Sequence, residues 1–247
     1  MPAVSESKWR TEAGWDDAPH LTESEKRKQL AATPLYLRDA RSKGIPSMGA
    51  GAIYPFAVSS IVCDPFPIPA YWRRGFALDD GWKITAVGFY ALDPDHDVLY
   101  KTAELYLEEK HPRETATMIL TRGAWMPGTG DAAARTRDGA QVIDIYRGFG
   151  VKLDLADKEV EAGIYDVTMR IATGRLKIFT TCQKTLWEYE RYRRDEKGKI
   201  VKQNDHAMDE TRYASRPSFI QRMIAKPIET ILSSANGLGG GDPSIGY

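Results

Sequence analysis

Cysteine is nearly missing from this 247-residue sequence: Cys63 and Cys182 are the only two, far apart in the chain. Neither stands in a CxxC pair or at ligand spacing from a histidine, which argues against a zinc site and for two reduced thiols. Long apolar runs are missing too. None approaches the roughly 20 residues that a membrane-crossing helix needs, and the opening MPAVSESKWR has no apolar core of a secretory signal. A cytosolic chain with no membrane partner is expected. Charge of one sign is not in excess: 34 basic residues meet 34 acidic ones, for a net charge of +0. Dedicated DNA-binding domains are usually basic, so bulk charge lends nucleic-acid binding no support, although a local basic patch and bound cations could still supply it. The pattern G-x-x-x-x-G-K-[ST] occurs nowhere, so a phosphate-cradling ATP loop of that type is excluded. There is no internal repeat. What is present is ordinary for a globular protein: 42% hydrophobic and 28% charged residues, in a length that suits one generous domain or one domain with an appendage.

Residues 1–45 are charged and helical in flavour. In LTESEKRKQLAA, Thr22 precedes Glu25 by three residues, the capping-box spacing, and Pro34 stops the helix. A second short helix, LYLRDARSKG, ends at Gly44. GIPSMGAGAIYPF is turn-rich, and Pro55, Pro65, Pro67 and Pro69 favour extended segments and edge strands. A β-meander follows from near Trp72: Phe76–Asp79, Lys83–Leu92, a turn at Asp93-Pro94-Asp95, and Val98–Leu107. Helix and strand then alternate. ETATMILTR is helical, and a short strand at 124–126 enters the loop MPGTGDAA. GAQVIDIYRGFG is helical, VKLDLAD a strand, and KEVEAGIYDVTMRIATG a helix with Val160, Ile164, Val167 and Ile171 at its 3.6-residue period. RLKIFTT is a strand, QKTLWEYERYRRD a helix, EKGKIVKQ a hairpin about Lys197-Gly198, and DHAMDETRYA the last helix. The Gly/Ser-rich end SSANGLGGGDPSIGY lacks periodicity. The expected division is a linker or remnant of a preceding domain at 1–45, an enzyme domain at 46–215, and a partly disordered tail at 216–247. The expected class is α/β, a mixed β-sheet flanked by helices.

Three acidic positions stand out by their placement. Asp79, in FALDDGW, closes an apolar run beside a glycine; a surface turn is the plain alternative, and the doubled Asp leaves Asp80 open as the key residue. Asp131, in MPGTGDAAAR, follows a glycine-rich loop, where it could also cap a helix. Asp205 and Asp209 lie four apart on one helix face, with His206 three before Asp209. Their like charges cost about 0.2–0.5 kcal/mol in an isolated helix, which a cation or basic partner would offset. Alternatively Asn204 or Asp205 caps the helix, Asp209 pairs with Arg212 and Tyr213 enters the core. Hard divalent cations want several oxygen ligands, and a two-metal phosphodiesterase needs carboxylates converging from separate elements.

The succession GIPSMGAGAIYP, RRGFALDDGW, GDAAA and NDHAMDETRY, spanning roughly residues 20–214, resembles the nuclease part of tailed-phage terminase large subunits. NDHAMDETRY carries the most specific likeness, and GIPSMGAGAIYP looks like the junction with the packaging ATPase. The resemblance implies an RNase H-like fold and an endonuclease that cuts double-stranded concatemeric viral DNA during genome packaging, with Mg²⁺ or Mn²⁺, two ions, as cofactor. By position it implies Asp79, Asp131 and Asp209 as catalytic and metal-holding residues, with Asp205 and His206 as further metal ligands. GDAAA departs from a more usual Gly-Asp-Pro-Ala and loosens the assignment of Asp131. It further implies portal protein and the small terminase subunit as partners, the host cytoplasm as location, and 1–45 as the end of an absent ATPase, so that no ATPase activity is expected. DNA backbone contacts are expected among Arg73, Arg74, Arg135, Arg137, Lys184, Arg191, Arg193 and Arg194. Trp187, Tyr189 and Tyr192 are read as packing groups. Another RNase H-like nuclease of resolvase or integrase type, or a non-catalytic docking module of the virion, is the competing reading.

Overall fold

The computed structural model describes residues 15, 21–32, 42, 51–131 and 141–227. The expected second helix at 35–44 apart from residue 42, the junction glycines Gly44 and Gly49, most of the GDAAA loop with Arg135 and Arg137, and the glycine-rich end lie outside the described residues. Helix α1 (Glu23–Ala32) begins as its sequence foretells. The Glu25 carboxylate accepts from the Thr22 backbone N–H at 2.9 Å, and the Thr22 hydroxyl accepts from the Glu25 N–H at 3.3 Å.

The meander forms and is longer than its sequence signals. Strands β2 (Arg73–Asp79), β3 (Ile84–Asp93) and β4 (Val98–Glu108) pair antiparallel. β3 is buried along nearly its whole length, as a central strand covered on both faces must be. Side chains alternate across the sheet: Phe76, Leu78, Val87 and Phe89 join one core, while Ala77, Tyr90 and Leu92 join the other. On the first face lie α2 (Pro112–Gly123) and α3 (Val142–Gly148), which contribute Ala116, Ile119, Ile143 and Tyr146. His111 and Glu114 close a capping box at the start of α2.

The parallel half of the sheet comes from β5 (Gly128–Asp131), β6 (Leu153–Leu155), β7 (Leu176–Phe179) and β1 (Val62–Cys63). The order across the sheet is β1-β7-β4-β3-β2-β5-β6. β1 is the edge strand that the proline-rich stretch allowed. The strand expected at 124–126 is instead at Gly128–Asp131, inside what the sequence read as a loop. Gly-Thr-Gly has little strand propensity. Here, though, glycine lets β5 lie directly against β2: a Cβ on Gly128 would enter the Phe76 ring, and one on Gly130 would strike the Leu78 carbonyl.

Helices α4 (Val160–Ala172), α5 (Gln183–Tyr189), α6 (His206–Ala214) and α7 (Pro217–Arg222) follow. The apolar stripe of α4 points into the second core as its period requires. α5 is shorter than expected. The chain turns at Tyr189, which leaves both Tyr189 and Tyr192 buried. The expected hairpin at 196–203 reduces to one bridge between Arg194 and Ile200 around Gly198 (φ +76°), with the Asp195 carboxylate accepting from the backbone of Lys197 and Lys199. Packing continues past Ser215: Phe219, Ile220 and Met223 are buried, and Phe219 covers Gly75.

Candidate active site

β2 and β5 run parallel, hydrogen-bonded, and finish level with each other, so that Asp79 is the direct register partner of Asp131. Neighbouring strands lie about 4.8 Å apart, so two carboxylates from separate elements emerge side by side at one sheet end. Asp80 follows and turns toward the opposite face, where the Tyr146 hydroxyl of α3 donates to its Oδ1 at 2.6 Å.

α6 packs across this sheet end. Its first residue, His206, places Nδ1 2.9 Å from Asp79 Oδ2. Asp205 is the N-cap residue, but its side chain accepts no capping bond. Asp209, one turn on, is 8% exposed and Asp205 6%, so neither is an ordinary surface acid. Asp209 Oδ1 pairs with Arg212 at 3.0 Å and accepts from the Tyr192 hydroxyl at 3.3 Å. Lys202 Nζ lies 3.2 Å from Asp209 Oδ2 and 3.2 Å from Asp205 Oδ2. Lys158 forms an ion pair with Asp131. The pairing of Asp209 with Arg212 and the burial of Tyr213 are the local roles that spacing allowed, and they coexist with the convergence.

Electrostatics tie these elements together. Burial pushes the Asp79 carboxyl above its ordinary value; the His206 hydrogen bond pulls it back, and the charges of Asp209 and Asp131 push it up again. Asp80 is likewise raised by burial, opposed by the Tyr146 hydrogen bond and reinforced by Asp79 and Asp131. His206 is raised, first by its bond to Asp79. Tyr213 is raised by burial and by Asp79, Asp209 and Asp131. Three separated stretches of sequence, at Asp79, Asp131 and α6, thus meet in one electrostatic site. Among the described residues, no three acidic, imidazole or thiol groups stand close enough to cage a cation as they are. Asp79 is engaged by His206, Asp131 by Lys158, and Asp209 by Lys202 and Arg212.

α6 owes its position to residues that sequence reasoning missed. Glu188 of α5 is buried, and its Oε2 accepts from the backbone of Ala207 at 2.6 Å and Met208 at 3.3 Å, capping α6 from outside. Glu210 faces the sheet, where it pairs with the fully buried Lys101 and accepts from the Tyr90 hydroxyl at 2.8 Å. Gly88 makes room for that carboxylate, since a Cβ there would collide with it. Neither Lys202, which falls in the segment read as a hairpin, nor Lys158 carried a spacing signal.

Several of the residues expected to contact DNA hold partners within the fold. The Arg73 guanidinium donates to the Ile220 carbonyl, and that of Arg74 to the carbonyls of Ile68 and Pro69. Burial lowers the Arg74 pKa. Arg194 pairs with Glu161, and Lys184 lies over the Tyr106 ring. Arg191 lies over Trp187, which is 40% exposed and only half a packing group.

A seven-stranded mixed sheet flanked by helices, with carboxylates at the adjoining ends of two neighbouring parallel strands and a helix laid across them, defines an RNase H-like nuclease-type domain. Comparison with protein-family models gives no match. The chain is a relative of the terminase large subunit and corresponds to that protein's nuclease domain. It is 31% identical over 227 residues to the terminase large subunit of Salmonella phage P22, covering 86% of this chain and 46% of that protein. It is 31% identical over 208 residues to that of Enterobacteria phage LP7, covering 80% and 44%. It therefore spans about half the length of these curated relatives. The solved P22 large terminase nuclease domain superposes with a TM-score of 0.64 at 28% identity, over 72% of this chain and 96% of that one. The large terminase nuclease of thermophilic phage G20c, solved with bound magnesium, shares the fold at 11% identity, with a TM-score of 0.52 over 68% of this chain and 97% of that one.

Proposed function

We propose that this chain is a metal-dependent endonuclease that cuts double-stranded, concatemeric viral DNA during genome packaging. The observation that carries the reading is the register of Asp79 against Asp131, with α6 bringing His206 onto Asp79 and the charge of Asp209 to bear on it. The P22 nuclease-domain likeness and the magnesium in the G20c structure support it. The donor set fits a hard divalent cation, since it offers carboxylate oxygens that are desolvated and repel one another, a repulsion that a cation relieves. Asp79, Asp131 and Asp209, with Asp205 and His206 beside them, are the residues that would hold Mg²⁺ or Mn²⁺, two ions in all. Bound cations would supply water activation and neutralise charge at the phosphodiester and its leaving oxygen.

The protein's own groups act on geometry and charge. His206 engages one oxygen, Oδ2, of Asp79. Tyr146 holds Asp80 toward α3, which separates the roles of the doubled aspartates. The buried Arg212 stays against Asp209 and orients it. Partners in this reading are duplex DNA, portal protein and the small terminase subunit, in the host cytoplasm. The missing ATP-loop motif leaves this chain without ATPase activity of its own.

Nicking of supercoiled plasmid tests the reading. It is expected with Mg²⁺ or Mn²⁺, is abolished by EDTA, and falls roughly a hundredfold or more in Asp79→Asn and in Asp209→Asn. Full metal-dependent cutting by both variants overturns the site.

A further inference from the structure

The site's cations are of two kinds. Arg212 is 2% exposed, lies over the Tyr213 ring and is packed against Gly163 of α4, so it is a fixed part of the core. Lys158 and Lys202 are different. Lys158 is on the segment between β6 and α4, and Lys202 is on the segment that leads into α6. Their side chains are 46% and 65% exposed, yet each ammonium group lies against carboxylates of the candidate site: Lys158 on Asp131, Lys202 on both Asp205 and Asp209. A largely buried carboxylate requires a counter-charge. A lysine on a flexible four-carbon stem supplies one from the solvent side, and a hard divalent cation seeks the same oxygens.

We propose that Lys158 and Lys202 are resident counter-cations of the metal-free site, which divalent metal displaces, and that the freed ammonium groups then take phosphates of the duplex at the mouth of the site. The inference rests on the nuclease reading and says how the site behaves before and after loading. Against the carboxylates of Asp79, Asp131, Asp205 and Asp209 stand Lys158, Lys202 and Arg212. A divalent cation brings twice the charge of the ammonium that it replaces, so its arrival turns each lysine from a counter-ion into a repelled neighbour. The stems already reach solvent, so the ammonium groups swing outward without moving the backbone. An ammonium is a compact point charge suited to phosphate oxygens. Without metal, the same lysines cover the acids.

The test uses the full chain as wild type, Lys158→Met, Lys202→Met and the double variant. Lys110→Met serves as control, since it removes an equal charge from an exposed pair with Glu114. In calorimetric titration with Mn²⁺, each site variant is expected to bind about two- to fivefold more tightly, the scale of a partly exposed ion pair, and the control is expected not to change. In binding to linear duplex DNA with Ca²⁺ present, the slope of log affinity against log salt is expected to fall by about one for each lysine removed, and Lys202→Arg to restore it. Thermal unfolding guards against misfolding: Lys202→Met is expected to melt lower than wild type without metal and to regain the difference with Mn²⁺. Unchanged or weaker Mn²⁺ binding in both variants, or an unchanged salt slope, overturns the inference while wild-type Mn²⁺ binding leaves the nuclease reading standing. A wild type that takes no Mn²⁺ sinks both.

Discussion

Asp79 is held between opposing demands. Burial and two neighbouring acids favour its neutral form, and the His206 ring favours its charged form. The counterpart is a raised His206, whose protonated ring gains a partner on folding. A group with a raised folded-state pKa stabilises fully below its unfolded value and loses that contribution as pH rises through the folded value. The metal-free protein is therefore expected to lose melting temperature as pH rises above the ordinary histidine value of about 6.5, and His206→Gln to flatten that loss. An identical pH slope in the variant would refute the pairing. Asp79 and Asp209 were legible in the sequence because an acid that closes an apolar run, or that recurs four residues on along a helix, breaks a pattern. Tyr146 and Lys158 broke none: a helix tyrosine and a lone exposed lysine look the same wherever they point, and only the tertiary fold brings them to Asp80 and Asp131.

Between elements, the decisive object is α6, which is both the carrier of His206 and Asp209 and a helix with every residue from Ala207 to Ala214 buried. Two acids fasten it. Glu188 satisfies two of its first backbone N–H groups, so Glu188→Ala leaves buried donors without partners and is expected to cost about 1–3 kcal/mol in denaturant unfolding. The same change is expected to lower plasmid nicking, whereas a variant of full stability and full activity would show that the cap is dispensable. Lys101 and Glu210 are the second fastening. Burial pushes the Glu210 carboxyl up, and Lys101 and the Tyr90 hydroxyl pull it back. Removing one partner strands a buried charge, so Lys101→Met is expected to cost about 3–5 kcal/mol, and Lys101→Met with Glu210→Leu to recover most of it. A double variant no more stable than the single would refute the pairing as the cause. The strands of the meander were legible from their alternation and the helix α4 from its period. β5 was not, because the close approach that demands Gly128 and Gly130 also erases the strand's own propensity signal, and α5 was overextended because Tyr192 keeps a helical spacing after the chain has already turned.

For the molecule as a whole, neutral net charge goes with a domain that sets several acids at one sheet end while several of its arginines hold partners within the fold. The site's acids are then the natural place for added cations to act on global stability. A ligand that binds only the folded chain stabilises it by about 2.7 kcal/mol at a hundred times its dissociation constant. Saturating Mn²⁺ is accordingly expected to raise the midpoint of denaturant unfolding, and EDTA to reverse the rise. Asp79→Asn with Asp209→Asn is expected to abolish it, whereas an undiminished rise in that double variant would place the cation elsewhere. The same preparation separates cutting from motor function. The chain spans about half the length of its curated relatives and contains no G-x-x-x-x-G-K-[ST] loop, the element whose backbone cradles nucleotide phosphates. Incubated with ATP and Mg²⁺, it is expected to release no phosphate above a protein-free blank under conditions in which it nicks plasmid. Phosphate release that scales with chain concentration, and that survives Asp79→Asn, would mean that nucleotide is handled by residues of a different pattern and that cutting and ATP turnover share this one domain.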